Sequence, residues 1–426
     1  MSPLPGLLMA VALLGGCPPL MPAPDPKVAE LIRQLGHKSY TVREAAAKAL
    51  TSRGKEAIPA LTVNQLNADP QVAGRCRQLI PLIIVLDRNE KLARLLKQPA
   101  GPVPKDLAGA ERFLKITGDT REARLLFAEM MNAHWDILEA LETDPEKAGW
   151  LWDDFIGDSD VRANDPGIRN CFADRAGEAM VLFLFADRRI THSLMAMVTI
   201  HWIPDSTGIR NRVAGPKAEP AFMRLFLNWI DHEANIPAVE TAAEFAAEAG
   251  MKEIVFVLLK RISKHAQHPG HRAALLVALR HVAGKEHIKS LESFFVDNTA
   301  ICKLVNNDGR DILTTQISDV ALGVCVQLAG QKMKDFGFPA AHRFEENFSL
   351  AFLYGFPDDF TRKVAHARWK DWLDQQEAEA GPGVLKLRFL EILVFKEWFW
   401  YWRAEQRELP DGFQQGSHFS HGLESD

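Results

Sequence analysis

His265, His268 and His271 stand three residues apart and form the most site-like cluster in the chain. Imidazole nitrogens bind Zn²⁺ and Cu²⁺ well. Pro269-Gly270 falls between them, so the spacing does not read as one helix face. No acidic residue lies nearby in sequence to orient an imidazole from behind. A structural metal site needs several convergent ligands. The expectation is a polar turn between helices, with no metal and no cofactor.

A second cluster is acidic: Asp153, Asp154, Asp158, Asp160, Asn164 and Asp165. Carboxylates at this density suit Ca²⁺, but an EF-hand loop needs an oxygen ligand two residues past Asp160, and Arg162 stands there with Ala163 after it. A charged loop with helix caps is expected. Arg88, Lys91, Arg94 and Lys97 recur at spacing three, with Glu90 placed for a helical ion pair to Arg94. This reads as a solvated helix face. No GxGxxG, Walker loop, GxSxG or HExxH is present. No reaction can be read from the chain. An enzyme remains the alternative only if residues such as His192, His201, Asp205 and the His265–His271 turn converge in the fold.

The elements that must position these residues are helices. Leu and Ala recur at helical spacing along most of the 426 residues, and only Val198–Ile203 and Ile254–Leu259 tempt a strand assignment. Hydrophobic residues make up 47% and charged ones 25%, enough apolar material for a packed core. Lys and Arg number 50 against 55 Asp and Glu, a net charge of −5. A chain so near neutral exerts no global pull on phosphate backbones, which sets nucleic acid aside as a partner.

Gly6 to Gly16 is a short uncharged apolar run, too short to span a bilayer and of the length of a secretory signal core. It ends in Leu14-Gly15-Gly16-Cys17, which resembles the lipobox of bacterial lipoproteins. That resemblance implies lipidation of Cys17 and membrane anchoring through it, with the Pro-rich stretch after it as a tether. Met1 to Pro5 lacks the basic residues usual ahead of such a run. Cys76, Cys171, Cys302 and Cys325 form no CxxC and read as buried free thiols. Cys302 and Cys325 are the pair nearest in sequence, and spacing alone cannot establish a bridge between them.

Val28 to Ile83 reads as four helices in two hairpins. The first helix spans Val28–Leu35 and closes at Gly36-His37, and the second spans Thr41–Ser52. Val42, Ala45, Ala46, Ala49 and Leu50 share one face of that second helix. Gly54 ends it, Ala57-Ile58-Pro59-Ala60-Leu61 opens the third, and Asp69-Pro70 precedes the fourth. The order Val42-Arg43, Ala46, Gly54, Ala57 to Leu61 and Asp69-Pro70-x-Val72 resembles the HEAT-like repeats of bacterial exported proteins. The resemblance covers about 55 residues and implies an α-α superhelix in which each hairpin stacks on its neighbours. The Thr315–Leu322 segment, and Arg362, His366, Trp369 and Trp372 after it, are similar to a C-terminal region of the same group, which adds no chemistry.

The expected organisation is a signal and tether over 1–26, HEAT-like repeats over 27–97, a linker from Lys97 to Asp106, and a helical region over 107–203. An irregular connection is expected from Pro204 to Pro220, then degenerate HEAT-like repeats over 221–378. A capping helix over 384–404 carries the aromatic run Trp398–Trp402, and a polar tail follows over 405–426. The functional expectation is a non-catalytic scaffold of the cell envelope, exported and either periplasmic or lipid-anchored, that binds a protein partner along a curved helical array.

Overall fold

Asp25 begins the helical part of the chain. Its carboxylate accepts the Lys27 N–H at 2.9 Å, and Pro26 takes the first-turn position, where a missing N–H is harmless. The computed structural model describes residues 25–97, 101–157, 174–190, 199–264, 268–305, 311–342, 350–376 and 378–379. Helix dominates these residues, and the class is all-α apart from one β-hairpin. The chain divides into two compact units between Ala242 and Ala243.

The first unit opens with α1 (Pro26–Gln34), α2 (Tyr40–Ser52), α3 (Ile58–Val63) and α4 (Pro70–Lys97). α1 packs on α2 and α3 packs on α4, as two hairpins. Val28, Ile32, Leu35, Ala46, Leu50, Ala57, Leu61, Val72, Cys76, Leu79 and Ile83 form their shared core. Each large aliphatic side chain in it contributes roughly 1.5–3 kcal/mol through removal from water. Gly36 lies where the end of α1 meets the start of α4. A side-chain carbon there would come within 2.6 Å of Asp69 Oδ2 and 2.8 Å of Val72 Cγ2, so only glycine allows the approach.

α4 is the long element of this unit, 28 residues or about 42 Å. Its first half buries Val72, Cys76, Leu79 and Ile83 in the hairpin core. Its second half buries Lys91, Leu92 and Leu95 and meets α6 (Arg121–Ala133), which follows α5 (Ala110–Thr117). At about 100° per residue, Leu92 lies half a turn around the helix from Ile83. α4 is therefore held on opposite sides at its two ends. Arg124 of α6 fixes the second grip: fully buried, it donates to the carbonyls of Leu95 and Gly101, each at 2.8 Å, and to both carboxylate oxygens of Asp119.

α7 (Trp135–Thr143), α8 (Pro145–Gly157), α9 (Arg175–Phe185), α10 (Thr207–Ala214) and α11 (Pro220–His232) complete the first unit, and the division falls inside α12 (Ile236–Glu248). α9 is buried from Ala176 to Phe185. The Phe113 ring meets Phe127 at 5.4 Å and Phe183 at 5.5 Å.

In the second unit, α13 (Ile254–Lys264), α14 (Pro269–Val282) and α15 (Ile288–Glu292) precede strands β1 (Ala300–Val305) and β2 (Asp311–Gln316). The strands pair antiparallel, Lys303 opposite Thr314 and Leu304 opposite Leu313. β2 runs directly into α16 (Ile317–Leu328), which packs against α14 and α15. Thr314 also exchanges backbone hydrogen bonds with Phe356. A last helix, α17, covers 359–376. Its Trp369 indole donates to Glu292 at 3.1 Å and stacks on Trp372.

Several expected elements are corrected. The helical region expected over 107–203 is interrupted at His134, whose backbone leaves helical geometry (φ −134°, ψ 39°). The irregular connection expected from Pro204 to Pro220 contains α10, capped by the Ser206 hydroxyl on the Ile209 N–H. Ile254–Leu259 lies inside α13, in keeping with the helical spacing around it. Within the repeats expected over 221–378, the stretch 287–298 is α-helical only from Ile288 to Glu292, after a 3-10 turn. The capping helix over 384–404 and the signal segment lie outside the described residues.

Candidate functional site

The candidate surface is built on α4 in the first unit. Between its two grips the helix is left partly uncovered. Leu82, Val85 and Leu86 are 47%, 37% and 46% exposed, and Leu96 is 38% exposed further along. Residues three and four apart stand side by side on a helix, so Leu82, Val85 and Leu86 form one apolar patch. Pro81 inside the helix removes one backbone donor and clashes with the preceding turn.

Arg88 adjoins this patch, one turn beyond Val85. Its guanidinium carbon lies 5.9 Å over the Trp135 ring at the start of α7. Its Nε and Nη1 are shielded from solvent and have no hydrogen-bond acceptor among the described residues. The other members of the expected basic stripe behave differently. Lys91 is buried and bonded to Asp87 and Asp106, each at 2.9 Å. Lys55 reaches Asp87 at 3.2 Å and Glu139 at 3.9 Å. Burial alone would raise the Asp87 pKa, but the two ammonium groups outweigh it and hold that carboxylate below its usual range. They are opposed in the same way at Lys91, where Asp87 and Asp106 overcome burial and hold the ammonium above its usual range. Arg94 and Lys97 are exposed, as a solvated face requires, and that reading is corrected at Lys91, which is the buried cation of an ion-pair centre.

A groove of about 300 Å³ lies on the same unit, lined by Ala29, Ile32, Arg33, Ala60, Asn64, Asn67, Asp69 and Val72. Its polar rim is internally satisfied. Asn64 donates to the Ala60 carbonyl at 2.9 Å, Asn67 donates to Asn64 Oδ1 at 2.8 Å, and Asn67 Oδ1 accepts the Asp69 N–H at 2.9 Å. The groove offers shape, with little unspent hydrogen bonding.

The most perturbed titratable groups do not line this groove. Glu178 is buried, and its carboxyl is pushed up by burial against the pull of Arg212. It ends a chain of charges running through Arg212, Glu219 and Arg175 to Glu129. In the second unit Asp319 is buried against Arg362. Both arrangements tie helices together with charge-assisted bonds.

Of the sequence candidates, Cys17 and His265 lie outside the described residues. His268 is exposed just ahead of α14, and His271 is buried in its first turn. Among the described residues, no group of three or more His, Cys, Asp or Glu could hold a metal ion. Asp153 and Asp154 belong to α8, while Asp158, Asp160, Asn164 and Asp165 lie outside the described residues. His201 and Asp205 are exposed, and His192 is outside the described residues. Cys76, Cys302 and Cys325 are free thiols. Sequence reasoning missed Trp135 and the apolar patch. Neither gave a signal: Trp135 falls in a stretch that reads as continuous helix, and Leu82, Val85 and Leu86 have the spacing of a buried helix face. Among the described residues, no helix is long and apolar enough to cross a membrane. No protein-family model, no curated protein and no solved structure gives a significant match to the chain.

Proposed function

We propose that the chain is a non-catalytic, protein-binding helical-repeat protein of HEAT type that works in the cell envelope. The observation that carries this reading is the uncovered face of α4, where Leu82, Val85 and Leu86 meet solvent beside Arg88 and Trp135. Contiguous exposed apolar surface marks interaction sites, and Trp and Arg are the residues that most often dominate binding energy there. The stacked pairs α1–α2 and α3–α4 support the HEAT part of the reading, since a helical hairpin of this type buries one face on its neighbour.

The envelope part rests on the apolar run from Gly6 to Gly16 and on Cys17. The chain is exported and held at the membrane by a lipidated Cys17, or is free in the periplasm once its signal is removed. Cys17→Ser separates the two: membrane association that survives this change rules out the anchor.

Co-purification of the full-length chain from envelope extracts tests the central reading, with mass spectrometry of what accompanies it. A stoichiometric protein that is lost with a Leu82→Asp, Leu86→Asp double variant supports it. A chain that purifies alone as a clean monomer retires it.

A further inference from the structure

Arg88 sets buried, unpaired guanidinium donors beside an exposed apolar patch. A guanidinium stays charged at every accessible pH and carries five donors. Here Nε and Nη1 face no acceptor inside the fold, although both are shielded from water. Asp87, its neighbour in sequence, is held by Lys55 and Lys91, and Glu139 lies toward Lys55. Charged donors without partners are costly to a fold. Among the described residues, the Trp135 ring is what the guanidinium lies against. Since Arg88 has no internal acceptor to give up, a turn of its side chain away from Trp135 forfeits stacking alone. It then presents a planar fork at the surface, a shape that matches a carboxylate at two points.

The surroundings specify the rest of the ligand. Val85 lies one helical turn before Arg88 and joins it to Leu82 and Leu86, and the three are between 37% and 47% exposed. A ligand that satisfied Arg88 with charge alone would leave these side chains in water.

We propose that the middle of α4 docks a peptide segment of a partner protein that sets an Asp or Glu carboxylate against Arg88 and apolar side chains against Leu82, Val85 and Leu86. This rests on the protein-binding reading above and adds the chemistry of what is bound. The carboxylate excludes water from the guanidinium, and the apolar side chains form the surrounding ring that keeps it dry.

Short random peptides displayed on phage and selected against the immobilised full-length chain test the proposal. Selected peptides are expected to carry Asp or Glu among Leu, Phe or Trp. They should bind Arg88→Ala at least about 30-fold more weakly, the loss typical of a central interface residue. Arg88→Lys keeps the charge without the fork and should not restore binding in full. Leu86→Asp changes an exposed residue, so it tests the apolar half without disturbing the core. Unchanged thermal melts of all three variants show that the fold is kept. Peptides without an acid, or equal binding to Arg88→Ala, overturn the proposal and leave the protein-binding reading to the co-purification experiment. A selection that yields no peptide overturns it as well. So does binding of phosphatidylglycerol vesicles that depends on Arg88 in place of peptide binding, which makes the face a lipid contact.

Discussion

Arg362 Nε lies 2.7 Å from Asp319 Oδ1, a bond that spans 43 residues of chain between two side chains removed from solvent. Asp319 also accepts the Gln316 N–H at 2.9 Å, and Arg362 also donates to the Thr314 carbonyl at 3.0 Å. One ion pair thus joins the end of β2, the first turn of α16 and the start of α17.

Arg362→Ala is expected to cost the second unit about 3–5 kcal/mol at neutral pH, because it strands a buried carboxyl. Asp319→Asn added to it should return part of that loss, since no buried charge is then left alone. Urea denaturation of the full-length chain, run as a double-mutant cycle, measures the coupling. Additive losses would show that the pair is not a unit.

Two groups around this pair titrate against each other. Burial pushes the Asp319 carboxyl up to about 6 from 3.8, against the pull of Arg362 and the Gln316 N–H. The folded chain holds that proton more tightly, so the contribution is full below pH 3.8 and is lost as pH rises through about 6. Burial and the adjacent Arg362 push His366 down to about 4 from 6.5. Its contribution is full above pH 6.5 and is lost as pH falls toward about 4. The windows overlap with opposite signs. Relative to the wild type, Asp319→Asn should become more stable as pH rises between about 4 and 6.5, and His366→Gln less stable. Denaturation curves across that range decide the matter, and parallel profiles for all three proteins would refute it.

Gly323 stands in α16 against the buried Tyr354 ring. A methyl group there would come within 2.5 Å of Tyr354 Cε1. Gly323→Ala is expected to destabilise by about 1–3 kcal/mol through overpacking. Tyr354→Val should relieve the clash in the double variant, and Tyr354→Phe should not, because the conflict is with ring carbons. A melting temperature unaffected by Gly323→Ala would contradict the packing described.

The thiols should separate by access. Burial raises the Cys76 thiol above its usual range and raises Cys325 well above it, whereas Cys302 on β1 is half-buried. Brief iodoacetamide treatment of the native chain, mapped by mass spectrometry, should modify Cys302 ahead of Cys76 and Cys325. Equal labelling of the three would mean that the burial of α16 or of the hairpin core is transient.

The N-terminal hairpins were legible because Ala45, Ala46, Ala49 and Leu50 repeat with the helical period and because Gly and Pro mark the ends. The β-hairpin was missed although Asn307-Asp308-Gly309 is a turn signal in the sequence. In β1, Ile301, Cys302, Leu304 and Val305 put apolar residues on both faces, so no alternation stands out. α10 was missed because Thr207–Ala214 is short and polar, and its helix depends on the Ser206 cap and on burial of Ile209 and Val213. The candidate surface was the least legible part. Leu82, Val85 and Leu86 have the spacing of core residues, and what leaves them exposed is the placement of α6 around the far side of α4. That is a property of tertiary packing, which local pattern does not record.

The opposed grips on α4 also make its length a coded quantity. Removing or adding a single residue between Ile83 and Lys91 would turn everything beyond it by about 100° and shift it by about 1.5 Å. Leu92 and Leu95 would then swing away from α6, and Arg124 would lose the Leu95 carbonyl it holds. Substitutions along the exposed middle of the helix leave that phase untouched. Between Leu82 and Glu90 the exposed positions can therefore change side chain while Ile83, Asp87 and the number of residues stay fixed, so the surface can alter without altering the frame that presents it.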